Sequence, residues 1–82
     1  MPAHIPEDDA RQLFQENQDH SWKGLLTVLE HSLSTTHGIA NNIILMLMPV
    51  VRKFEQSGKP YPNTFDEFTR VIDQEMAKEY AP

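Results

Sequence analysis

Histidines are the residues of this chain best suited to bind a metal ion or act as a general base, because their unperturbed pKa lies near neutral pH. The sequence contains four, at positions 4, 20, 31 and 37. Glu16 and His20 are four residues apart, so a helix could present both to a metal ion, but two ligands do not make a site. No HExxH or HxxxH spacing occurs, and His31 and His37 are six apart, a poor spacing for one helical face. We interpret the histidines as solvent-exposed or capping residues.

Carboxylates are the second group that could do chemistry, since paired acids can serve as acid and base when a cleft shifts the pKa of one of them. Glu7, Asp8 and Asp9 stand at the predicted start of a helix, where the helix dipole accounts for them. The acids of the last predicted helix are expected mainly on its outer, solvated side: Asp66, Glu67, Asp73, Glu75 and Glu79. An alternative interpretation is that these acids imitate a phosphate backbone, as an acidic mimic of nucleic acid does.

Nucleophilic catalysis has no support in the sequence. Serines and threonines between positions 32 and 36 lie close to His31 and His37, but no glycine-bearing elbow accompanies them, and a capping turn explains their hydroxyls. No phosphate-binding loop or dinucleotide fingerprint occurs either. We therefore predict that the protein is not an enzyme and carries neither a metal ion nor another cofactor.

The composition narrows the classes of function further. The chain has 82 residues, a net charge of −5 and a sequence pI near 5.2, and an acidic surface disfavours nucleic acid as a partner. It has no cysteine, so its small core cannot be stabilised by disulfides, which leaves self-association or a partner. The strongest apolar run, residues 43–51, is nine residues long and contains Pro49, whereas a membrane span needs about 20 residues. We expect a cytoplasmic protein that does not engage a membrane.

Helical periodicity dominates the chain, and no segment alternates apolar and polar residues over the length of a strand. We predict one all-α domain over residues 1–82, built from three to four helices. The predicted helices cover residues 6–18, 21–34, 38–57 and 64–79. Ser21 and Thr64 are the expected N-caps of the second and fourth helices, and Gly58 is the expected end of the third. Pro49 must either kink the third helix or divide it in two.

The third predicted helix is apolar on nearly all sides. One face is expected to form the core: Ile39, Ile43, Met46, Leu47, Val50 and Phe54. A helix that is apolar all round is either central to its own fold or meets another chain with its second face. We predict that the second face and the cation beside it form a protein interface: Ile44, Leu45, Met48, Val51 and Arg52.

This predicted interface indicates self-association. A two-fold axis makes one patch self-complementary, so we expect a homodimer in which residues 43–51 pack against their symmetry mate. The alternative topology is one long helix from Ser21 to Met48, with both ends of the chain folded back.

Two classes of function remain. The first is a small acidic regulator, inhibitor or adaptor that binds a larger, unidentified protein, because the chain is small and carries surplus apolar helix surface. The second is a ligand- or metal-binding helical domain, or a small enzyme, whose site forms between subunits. The residues of that site would be drawn from Glu16, His20, Glu30, His31 and His37. We favour the first class, because no site signature supports the second.

Overall fold

All four predicted helices are present in the structure, a computed structural model that describes residues 5–34 and 38–80. They are, in chain order, α1 (Glu7–Glu16), α2 (Trp22–Ser34), α3 (Asn41–Ser57) and α4 (Phe65–Tyr80). These two ranges contain no strand, so the all-α prediction is confirmed. The radius of gyration, 11.6 Å, is close to the roughly 11.7 Å that chain-length scaling gives for a compact domain of this size. Among the described residues, no helix has the length and apolar character needed to cross a membrane.

Hydroxyl side chains cap the starts of α2 and α4, as predicted. The Ser21 Oγ accepts a hydrogen bond from the Gly24 N–H at 3.0 Å. The Thr64 hydroxyl accepts one from the Glu67 N–H at 3.2 Å. Each cap satisfies one of the backbone donors that the first turn of a helix leaves without a partner.

Helix α3 runs without a break through Pro49 and ends at the predicted glycine. Gly58 has a φ of 72°, in the left-handed region, and its N–H donates to the Glu55 carbonyl. The N–H of Lys59 donates to the Phe54 carbonyl, which completes a Schellman motif. Pro49 therefore lies inside one helix, and the alternative of two separate helices is wrong.

Because α2 ends at Ser34 and α3 begins at Asn41, the alternative topology of one long helix from Ser21 to Met48 is also wrong. The two helices instead form an antiparallel pair joined by a short connection. Of that connection, the structure describes the three residues that precede α3.

Helix α3 is the central element of the core. It packs most extensively against α2 and also contacts α4, while α1 packs against α2 and α4. Ile44 and Val51 have no exposed surface and Met48 is 6% exposed, so the expected division into a core face and an exposed face is wrong for these three residues. Met46, expected in the core, is only partly buried. The chain wraps around α3 because burying each of its large apolar side chains stabilises the fold by roughly 1.5–3 kcal/mol.

Aromatic rings from all four helices and from the segment that follows α3 pack together. We define the aromatic cluster as Phe14, Trp22, Phe54, Tyr61 and Phe68. The ring centroid of Trp22 lies 4.7 Å from that of Phe54 and 4.8 Å from that of Tyr61. Its indole Nε1 also donates a hydrogen bond to the Lys59 carbonyl at 2.8 Å. Close ring pairs of this kind add about 0.5–1.5 kcal/mol each beyond the area they bury, so the cluster holds the four helices and this segment together.

A glycine lets the α1–α2 turn approach α2 closely. A Cβ at Gly24 would lie 2.5 Å from the Asn17 Oδ1 and 2.8 Å from the Asp19 Cβ, both shorter than real Cβ contacts. Asn17 is 1% exposed, and its Nδ2 donates to the Ser21 carbonyl at 3.0 Å. Glycine in a helix costs roughly 1 kcal/mol relative to alanine. At position 24 that cost is outweighed, because only glycine leaves room for the buried amide.

Candidate functional site

The part of α3 that stays at the surface is centred on Leu45, whose side chain is prominent because the residue is 58% exposed. Pro49 and Arg52, one and two turns further on, are also exposed. They share one side of the helix, since residues three or four apart are neighbours on a helical surface. The remaining residues of the predicted interface are buried within the chain: Ile44, Met48 and Val51.

Tyr80, at the end of α4, lies beside this surface. Its hydroxyl donates a hydrogen bond to the Met46 carbonyl at 2.6 Å, and the residue is 38% exposed. Partial burial, together with the Glu79 charge, raises the pKa of the Tyr80 phenol above its ordinary value of 10.0, so it remains a donor at neutral pH. We define the α3 patch as Leu45, Pro49 and Tyr80. Tyr80 was not predicted as a site residue, because nothing in the residues around it signals a bond to the Met46 carbonyl, 34 positions earlier.

An ion-pair group fastens α3 to α4 next to the patch. The Lys53 Nζ lies 2.7 Å from the Glu75 Oε2 and 3.2 Å from the Glu79 Oε1. The hydrogen bond with Glu75 raises the pKa of Lys53 above its ordinary 10.5, and the same bond lowers the pKa of Glu75 below its ordinary 4.5. Glu75 is 7% exposed, so placing it on the outer side of the last helix was wrong. Burial is tolerable there because Lys53 supplies the opposite charge.

A groove lies between the end of α1 and the first turns of α2, and we call it the α1–α2 groove. Residues 16–19 line it from the turn, and Gly24, Thr27, Val28 and His31 line it from α2. The end next to His31 has a volume of about 400 Å³, and the end next to Gly24 about 170 Å³. The structure therefore brings together two residues of the alternative predicted site, one from each wall of the groove. They are Glu16 and His31.

The other residues of the alternative site do not join the groove. Helix α1 ends at Glu16, so the predicted clasp between Glu16 and His20 on one helical face is not formed. The ring centroid of His20 lies 6.4 Å from those of two rings in the aromatic cluster, and Glu30 is exposed on α2. His4 and His37, with residues 35 and 36, lie outside the described residues. Within residues 5–34 and 38–80, no three side chains of the metal-binding types are close enough to hold an ion.

Two buried polar atoms belong to Asn17, which lines the narrow end of this groove, and to Tyr61, which does not line it. The Asn17 Oδ1 and the Tyr61 hydroxyl have no hydrogen-bond partner among the described residues. Burial raises the pKa of the Tyr61 phenol above its ordinary 10.0, and the nearby Asn17 amide offsets part of that rise. The amide therefore lies near the phenol without reaching ordinary hydrogen-bond geometry. The burial of Asn17 and Tyr61 could not be predicted from the sequence, because Asn17 belongs to a polar stretch that is typical of an exposed turn.

Comparison with known proteins returned no relative. The sequence matches no protein-family model, and no curated protein and no solved structure matches it. The α3 patch and the α1–α2 groove are therefore the candidate functional surfaces of the described residues.

Proposed function

We propose that the protein is a small, non-catalytic helical module that binds another protein through the α3 patch and acts on it as a regulator, inhibitor or adaptor. One observation carries this proposal. Leu45 and Tyr80 are the two large hydrophobic residues exposed in the described part of the chain, and the Tyr80 hydroxyl bonds to the carbonyl of Met46, the residue that follows Leu45. Single exposed hydrophobic residues are ordinary, whereas adjacent ones mark an interaction surface.

The patch fits an amphipathic helix of the partner. Leu45 and Pro49 form an apolar ridge on successive turns of a rigid helix, and anchors at helical spacing pack against such a ridge. Pro49 has no N–H, so the Leu45 carbonyl lacks its helical donor and presents an acceptor next to the ridge. Arg52 adds a positive charge at one end and forms no ion pair within the described residues. The complementary partner helix therefore carries apolar anchors with a carboxylate beside them.

The size of the patch favours a transient contact. A stable protein interface buries about 800 Å² on each partner, more than three side chains supply. The expected homodimer depended on Ile44, Met48 and Val51 reaching the surface, and their burial removes that support. A second copy of the chain is therefore the competing occupant of the patch, and a different protein is the one we propose.

Site-specific cross-linking tests this proposal. A photoreactive amino acid is placed at position 45, and the control carries it at Gln15, which is exposed on α1, a helix that packs against α2 and α4. We expect one dominant cross-linked protein from position 45 in a lysate of the source cells, and none from position 15. Unlabelled wild-type protein should compete the cross-link away, while unlabelled Leu45→Asp should not.

The competitor must be folded for this result to be informative. Leu45→Asp is expected to keep the fold because Leu45 is exposed, whereas Met48→Asp would place a charge in the core and unfold the chain. Equal competition by wild type and Leu45→Asp would contradict the proposal. A cross-linked product at twice the 9.5 kDa mass of the chain would show that a second copy occupies the patch instead.

A further inference from the structure

We draw no further inference here: the strongest candidate, the buried polar pair formed by the Asn17 Oδ1 and the Tyr61 hydroxyl beside the α1–α2 groove, has no accessible surface through which a ligand could reach it, and without it the groove offers only an acidic cluster at the end of α1.

Discussion

Replacing Gly24 with alanine is expected to destabilise the protein, although alanine is the better helix former. The new Cβ would lie 2.5 Å from the Asn17 Oδ1 and 2.8 Å from the Asp19 Cβ. The first contact can be relieved by moving a side-chain end. The second cannot be relieved cheaply, because the Asp19 Cβ is attached directly to the backbone of the turn.

The size of the effect follows from three contributions. Alanine in a helix is favoured over glycine by roughly 1 kcal/mol. Forcing extra volume into a packed site costs about 1–3 kcal/mol. Displacing the Asn17 amide removes its hydrogen bond to the Ser21 carbonyl, worth about 1 kcal/mol. The expected net loss of unfolding free energy is about 1–3 kcal/mol, and a loss of 1 kcal/mol lowers the melting temperature of a domain of this size by about 4–8 °C.

Urea denaturation followed by the fluorescence of Trp22, the one tryptophan of the chain, measures this loss. A Gly24→Ala protein as stable as wild type, or more stable, would refute the packing argument. A double-mutant cycle with Asn17→Ala identifies the cause, because removing the amide also removes the shorter contact. Alanine at position 24 should then cost at least about 0.5 kcal/mol less than in the wild-type background, the size of coupling expected for residues in contact.

Three further predictions test the α3–α4 region. Lys53→Met should lower the melting temperature at pH 7, because Lys53 holds the pKa of Glu75 below its ordinary 4.5. A carboxylate with a lowered pKa stabilises the fold above its unfolded pKa and loses that contribution as the pH falls through the folded value. The difference in melting temperature between wild type and variant should therefore narrow by about pH 3. An equal difference at both pH values would contradict this reasoning. Pro49→Ala restores the donor to the Leu45 carbonyl and should raise the unfolding free energy in urea by about 1–3 kcal/mol, whereas destabilisation would show that the packing of α3 requires the proline. Tyr80→Phe removes the hydrogen bond to the Met46 carbonyl and should lower the unfolding free energy by about 0.5–1.5 kcal/mol, and unchanged stability would show that this bond contributes nothing.

Local signals in the sequence were sufficient to place the helices. Ser21, Thr64 and Gly58 act within one helical turn of their own position, so the caps and the end of α3 could be predicted without knowledge of the fold. The effect of Pro49 on the continuity of α3 could not be predicted in this way. The penalty for proline within a helix, about 3 kcal/mol, is comparable to what burying one or two neighbouring side chains returns, so the sequence leaves both outcomes open.

Hydrophobic periodicity could not predict which side of α3 is exposed. The residues of α3 are apolar on nearly all sides, so a helical projection shows no polar stripe by which to orient the helix. Its packing against α2 and α4 leaves Leu45 exposed and buries Ile44 and Met48. Burial of Glu75 was missed for a related reason, since its partner Lys53 lies 22 positions earlier. Oligomeric state, partner, cytoplasmic location and the expectation of no catalysis all remain predictions.

The hydrogen bond from the Trp22 indole to the Lys59 carbonyl has a consequence for the order in which the chain folds. It joins residues 37 positions apart, and closing a flexible loop of that length costs about 3 kcal/mol of chain entropy by the usual logarithmic scaling. Pairing of α2 with α3 brings the two residues together first, so the contact forms after that hairpin has assembled. We therefore expect the segment after α3 to pack late in folding and to open early in native-state fluctuations. Tyr61 of this segment stacks on Phe14 of α1, so its opening is expected to loosen α1, one wall of the α1–α2 groove, while the α2–α3 hairpin stays folded.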